Sequence, residues 1–351
     1  MILIRVLATL LAILFICSIS IVQGSNEHER EIMIVVTIPQ LINVVQEIGG
    51  SRVNVEVLVP PGIDPHTYEL GGREIKLLEK CRVIVMTGPK HLYLEDRIKD
   101  LLKEGVINAE VIDYEDYIAE GLELKYIPGF NRLNPHGYFL SYKGVVAIAK
   151  SLVKVLENID PDNKVYYESR LSEFLNKLNT YFGYAKEMLN RVTKKDGKIV
   201  AASFSPVPQY LLEDLGIELR YVLVLDPHQE LDPRSIEELI NMVTNNEIDI
   251  FILTDFDIVH EGSKLIKVLS DMNIPYVIIP TLTINDTSVL AISTASGITA
   301  ILSSTQPRAN QGSKSTNSFN LFWVLLVMVV AEFIIIIMLV LRIHSLRSEV
   351  G

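Results

Sequence analysis

Three histidines in this 351-residue chain follow directly on a proline: GIDPHTYEL at 62–70, NPH at 134–136 and DPH at 226–228. Each pair is preceded by Asp or Asn, and 15 prolines and 7 histidines scattered at random would rarely meet three times. Proline fixes its own φ and pushes the residue before it toward extended backbone. An imidazole placed next projects from a stiff turn with little backbone freedom left to lose. That suits a metal ligand, because a neutral ring nitrogen must meet zinc at about 2.0–2.1 Å. The turns are 70 and 92 residues apart, so only tertiary structure can bring His66, His136 and His228 to one ion. Taken singly, each reads as readily as a surface or hydrogen-bonded side chain.

The elements that must position these turns alternate strand and helix. IMIVVT (32–37), NVEVLV (54–59), RVIVMT (82–87) and AEVIDY (109–114) read as strands, with helices over 72–81 and 91–105 between them. Such alternation with short connections implies a parallel sheet covered on both faces. An amphipathic helix follows over 141–159. From Lys164 to Lys194, apolar residues recur at Leu171, Phe174, Leu175, Leu178, Phe182, Ala185, Met188, Leu189 and Val192. That 3, 4, 7 spacing predicts one helix roughly 45 Å long, enough to bridge two lobes. Alternation then restarts with strands at 198–203, 218–224, 248–254 and 276–280, and a last helix is expected over 288–304. The expected fold is therefore α/β, in two lobes that each hold a parallel sheet flanked by helices. The N-terminal lobe would span 32–160, the interlobe helix 161–195, the C-terminal lobe 196–304 and a polar stalk 305–319.

Both ends carry membrane-directed signals. Residues 1–24 have an early cation, an apolar run and small residues before Ser25, the layout of a secretory signal peptide. An uncleaved anchor is the alternative. Cys17 lacks the preceding small residue of a lipoprotein signal. NLFWVLLVMVVAEFIIIIMLVL (320–341) has the length of a transmembrane helix, with Glu332 near its centre. Two arginines in the tail 342–351 place that tail in the cytoplasm and the main body outside the cell membrane. Between the ends only Cys81 remains, so an apolar core rather than disulfides must hold the outer region. A net charge of −11 argues against a nucleic-acid partner, which would need a basic face.

The run EIGGSRVNVEVLVPPGIDPHTYEL, preceded by VVTIPQLINVVQEI, resembles the zinc- and manganese-binding solute-binding proteins of metal ABC transporters. RVIVMTGPKHLYLEDRI matches a further family element loosely, and NPHGYFLS resembles the family's second histidine motif. The long helix matches the family's rigid backbone helix, and the likeness covers about residues 32–282. The C-terminal span after a polar stalk looks like an archaeal way of tethering such a protein. The resemblance implies a metal site between two lobes, with His66 and His136 as N-terminal ligands. It also implies a partner permease with a separate ATPase subunit, since no GxxxxGK[ST] phosphate loop is present.

This chain departs from the family at the other two ligand positions. Ser205 stands where the family has His or Glu, and Pro280 or Thr281 where it has Asp. His228, in VLDPHQELDPRSIEEL, is a candidate replacement. Glu69, Ser205 and Asp226 are candidate supporting groups or alternative ligands, and Asp255 a further oxygen donor. Three histidines with a water or carboxylate would suit Zn²⁺ better than Mn²⁺, which prefers oxygen. The expected function is capture of a divalent metal ion, Zn²⁺ favoured and Mn²⁺ the alternative, for delivery to the permease, with no enzymatic activity. Two other readings remain open at this point. One is a degenerate family member serving surface adhesion or assembly. The other is a zinc hydrolase, for which no motif fixes a general base near the histidines. NDT at 285–287 also makes Asn285 a candidate glycosylation acceptor.

Overall fold

A computed structural model describes residues 31–88, 92–193, 197–226 and 229–305. The expected signal segment, the apolar span with Glu332, the tail, nearly all of the stalk and His228 lie outside these residues.

The first sheet is built from β1 (Ile32–Val36), β2 (Val53–Val57), β3 (Val83–Val85) and β4 (Glu110–Ile112), all parallel, in the order β2-β1-β3-β4. β-branched residues dominate the central strands, and Ile34, Val35, Val36 and Val83 to Val85 are fully buried. Burial on both faces is what a continuous apolar run, rather than an alternating one, requires. The second sheet repeats the order. Strands β5 (Val200–Ser203), β6 (Glu218–Val222), β7 (Ile250–Thr254) and β8 (Tyr276–Ile279) run parallel as β6-β5-β7-β8. In each sheet the chain leaves the first strand to one side and later returns on the other. That reversal opens a crevice at the carboxyl ends of the strands, where α/β proteins bind ligands.

Helices α1 (Ile42–Gly49), α2 (Gly72–Leu78), α3 (Tyr93–Lys103), α4 (Tyr114–Ala119) and α5 (Tyr142–Ile159) surround the first sheet. The bridging helix α6 runs Lys164–Asn190, about 40 Å at 1.5 Å per residue, a turn shorter than the sequence pattern suggests. Phe174, Leu178, Phe182, Ala185 and Leu189 form its buried stripe, as the periodicity predicts. Around the second sheet lie α7 (Gln209–Asp214), α8 (Pro233–Thr244), α9 (Asp255–Val259), α10 (Gly262–Asp271) and α11 (Thr287–Thr305).

One apolar core runs from the first sheet through α5 and α6 to one face of the second sheet. A separate cluster fills the opposite face of that sheet. The division follows strand alternation: Ala201, Ile250 and Ile252 face the shared core, and Ala202, Phe251 and Leu253 the other cluster. Helix α11 is the one described helix long and apolar enough to cross a membrane. It packs along α6 instead, burying Leu290, Ala291, Ala295 and Ile298. Lys177 of α6 reinforces this side by pairing with Glu47 at 2.8 Å and Asp286 at 2.7 Å. Cys81 is buried and unpaired, and burial pushes its thiol up to about 11.

A buried carboxyl closes the floor of the first sheet's crevice. Oε1 of Glu95 accepts from Thr37 Oγ1 at 2.6 Å and Thr87 N at 2.7 Å, and Oε2 accepts from Gly88 N at 2.8 Å and Thr87 Oγ1 at 3.0 Å. Burial pushes this group up to about 7, against donors that favour the ionised form. Because both oxygens face N–H or O–H donors, a neutral amide cannot replace the carboxyl without opposing donor to donor. Glu95→Gln is expected to lower the unfolding free energy by about 1–3 kcal/mol, read from the urea midpoint at unchanged slope.

Candidate metal site

The two described Pro-His turns share one local device. In the first, Asp64 Oδ1 accepts the backbone N–H of His66 at 2.9 Å. In the second, Asn134 Oδ1 accepts the backbone N–H of His136, also at 2.9 Å. An Asx side chain bonded two residues ahead, with proline between, holds each histidine's backbone in a closed turn. The type of residue before each proline thus has a physical reason.

These turns leave the carboxyl side of the first sheet. The chain after β2 extends the ladder through Leu58 N to Val36 O and Val59 N to Thr37 O before turning into the His66 loop. The second turn is held from below by Tyr138, whose hydroxyl donates to Thr87 O. The ring centroids of His66 and His136 lie 5.7 Å apart, with planes tilted by 54°. With N–Zn bonds of about 2.0–2.1 Å and ring nitrogens about 1.1 Å from their centroids, a tetrahedral zinc sets two imidazole centroids about 5.2 Å apart, and opening the N–Zn–N angle to a straight line extends this to at most about 6.4 Å. The observed spacing falls within that reach. Two rings 70 residues apart in sequence are thus neighbours in the fold.

Burial holds the His136 ring neutral, lowering it to about 4, and the neighbouring His66 adds to the effect while Asp226 opposes it. A neutral imidazole is the metal-binding form, so this nitrogen needs no deprotonation at neutral pH.

The opposite wall belongs to the second sheet, and it differs from the first in chemistry. Val207, Phe256 and Leu282 line the cleft there, at the carboxyl ends of β5, β7 and β8. The Phe256 ring stands 6.4 Å from that of His66 and packs edge-on against His260 at 4.7 Å. Thr281 also lines this wall, and its carbonyl accepts from Gln40 Nε2 at 3.2 Å, a hydrogen bond across the mouth.

Other expected residues sit elsewhere. Ser205 is fully buried behind the wall, beside the buried Asp257, and is absent from the cleft lining. Asp255 is engaged by Thr281 Oγ1, Leu282 N and Thr283 Oγ1 at 2.8–3.0 Å, which makes it an anchor for the 281–283 loop. Glu69 is exposed, and Asp226 acts on His136 through its charge. Asn285 has a buried side-chain oxygen just ahead of α11. Among the described residues, no three of His, Cys, Asp or Glu group as a metal cluster.

The residue that sequence reasoning missed is Asn134, read only as the start of a motif. It is fully buried, and each of its polar groups is used. Its side-chain amide donates to Pro206 O and Gln209 Oε1, both at 2.9 Å, which ties the His136 turn to the second lobe. Its backbone N–H donates to Lys125 O at 2.8 Å, and its carbonyl accepts from Tyr210 Oη at 2.6 Å. The following Gly137 adopts φ +75°, and a Cβ there would fall 1.9 Å from Val207 O. Only glycine fits that approach.

Two outcomes follow from this geometry. Asn134→Asp replaces two donated hydrogen bonds by a carboxylate facing two acceptors, and is expected to cost about 3 kcal/mol or more in denaturant unfolding. For His136 the folded value lies below the unfolded one, so its contribution is complete above about pH 6.5 and is lost as pH falls toward about 4. The metal-free protein should thus weaken across that window, and His136→Gln should flatten the pH dependence of its unfolding free energy.

Comparison with known proteins agrees with this architecture. The family model described as ZnuA, zinc-uptake complex component A periplasmic, matches residues 34–270. The manganese ABC transporter substrate-binding lipoprotein scaA of Streptococcus gordonii is 26% identical over 258 residues, covering 72% of this chain and 80% of that protein. The metal ABC transporter substrate-binding lipoprotein FimA of Streptococcus parasanguinis is 26% identical over 276 residues, covering 77% and 86%. A crystal structure of ZnuA shares the fold at a TM-score of 0.62 and 24% identity, covering 78% of this chain and 99% of its own. The solute-binding protein FpvC of P. aeruginosa in complex with Ni²⁺ does so at a TM-score of 0.66 and 18% identity, covering 80% and 100%. With the family match spanning well over half of its length, the chain belongs to the family of ZnuA, the periplasmic zinc-uptake complex component A.

Proposed function

We propose that this protein is the solute-binding component of an ABC importer for a divalent metal ion, with zinc as its cargo. The observation that carries the reading is the convergence of His66 and His136, 5.7 Å apart, at the crevice between two parallel sheets. Two rigid turns present the rings, and His136 is held in its neutral, metal-binding form. The names of the streptococcal relatives, which are metal and manganese ABC transporter substrate-binding lipoproteins, support the transport role. Support for zinc over manganese comes from the donors themselves. Nitrogen ligands suit zinc, whereas manganese favours carboxylate and carbonyl oxygen.

In this reading the body lies outside the membrane, tethered by the apolar span 320–341, and passes the ion to a permease driven by a separate ATPase. His228 is proposed as a further ligand. The shared core beneath both sheets supports a receptor that changes little in shape when loaded.

Calorimetric titration of the full-length, metal-stripped protein tests this. One saturable Zn²⁺ site is expected, at least about tenfold tighter than Mn²⁺, and lost in both His66→Ala and His136→Ala. Mn²⁺ binding as tight as Zn²⁺ would overturn the choice of metal, and binding unaffected by either substitution would overturn the site.

A further inference from the structure

Both histidine turns trace back to groups held by one buried carboxylate. Thr37 and Thr87 stand at the carboxyl ends of the neighbouring strands β1 and β3, where Thr37 N donates to Val85 O at 3.1 Å. Glu95 takes the Thr37 hydroxyl at 2.6 Å and both the backbone N–H and the hydroxyl of Thr87, at 2.7 and 3.0 Å. Thr37 O in turn accepts from Val59 N at 3.1 Å, and the chain from there runs through Pro60, Pro61 and Pro65 to His66. Thr87 O accepts the hydroxyl of Tyr138, two residues beyond His136. Each turn is thus joined to the same carboxylate through one threonine. Glu95 also sits in the first turn of α3, and its own N–H donates at 3.0 Å to the carbonyl of Leu92, which lines the cleft. The described partners Thr37, Thr87 and Gly88 carry no charge, and burying a carboxylate among them is costly where an apolar side chain would not be. What the carboxylate adds is direction. Two oxygens meeting donors from two strand ends fix where those ends lie, because a fully bonded buried group has few other positions.

We propose that Glu95 is a positioning residue for the metal site: by fastening Thr37 and Thr87 it sets the spacing of His66 and His136, and with it the affinity for the ion. It acts through the two threonines rather than on either ring. The centroids stand 5.7 Å apart, against about 5.2 Å for tetrahedral zinc, so a small shift of either turn changes the N–Zn–N angle directly. This inference rests on the metal-capture reading above and names the group that tunes that site from beneath.

The full-length protein and its variants are titrated with Zn²⁺ by calorimetry, and with Co²⁺ followed by its visible ligand-field bands, at a temperature where circular dichroism shows each to be folded. Glu95→Gln is expected to raise the Kd for Zn²⁺ at least about tenfold and to shift the Co²⁺ bands. Thr37→Val, which keeps the shape but removes one hydroxyl from the carboxylate, should weaken binding in the same direction even if Glu95→Gln does not fold. Thr37→Ser, which keeps the hydroxyl, should restore most of that loss. Leu269→Ala, in the separate cluster of the second sheet, should lower the urea midpoint and leave both Zn²⁺ affinity and the Co²⁺ bands as they are. If Glu95→Gln or Thr37→Val binds Zn²⁺ as tightly as the unaltered protein with the same Co²⁺ bands, the positioning role fails while metal capture stands. If Leu269→Ala weakens Zn²⁺ as much as they do, affinity merely follows stability and the role fails likewise. If the unaltered protein takes no Zn²⁺, both fall together.

Discussion

The side chain of Asn134 occupies the seam between the two lobes, and the rest of the site is arranged around its bonding. Its oxygen closes the turn that presents His136, and its nitrogen fastens that turn to Pro206 and Gln209 of the other lobe. Buried polar groups are costly when unmet, so a side chain with every donor and acceptor engaged has one allowed position. The neighbouring Gly137 lets the two backbones touch, with the lobe contact made at Val207. Val207 also lines the cleft, so this seam borders the site. Asp at position 134 would still close the Asx turn, but it has no hydrogens to give. The presence of Asn rather than Asp is therefore tied to the lobe contact.

The larger elements were legible in the sequence because their signals are long and redundant. The central strands β1, β3 and β7 announce themselves as buried apolar runs rich in Ile and Val, and α6 shows five buried residues at spacings of three and four. Two of the short helices were not legible. Helices α4 and α9 hold six and five residues, too few for any periodicity to emerge. Their local marks were present, as Asp113 with Asp116 and Thr254 with Asp257 form capping boxes. Such boxes are common enough in loops to be weak alone. Helix α1 lay inside a stretch read only for its family likeness. The helix read over 72–81 ends at Leu78, before the turn into β3.

At the site, the histidine turns were legible because proline and Asx leave a local signature. The apolar wall was not. Phe256 sits in the first turn of α9 directly after β7 and Leu282 in the loop after β8, and nothing in their immediate sequence distinguishes them from core residues. Only folding sets them opposite His66. The family comparison directs attention to Ser205 and the 280–281 region, yet Ser205 lies behind the wall, and Thr281 contributes its carbonyl to the rim. Of the positions marked by likeness, His66, His136 and Thr281 line the cleft and Ser205 does not.

The apolar core that continues from one lobe into the other has a thermodynamic corollary. Two halves with separate interiors can melt one after the other, each with its own heat-absorption peak. Here Phe174, Leu178 and Phe182 of α6 belong to the same interior as Ile34 and Ile250, so neither sheet can lose its packing without exposing part of the other's. The described body should therefore denature as one cooperative unit, even though its two sheets never exchange a hydrogen bond.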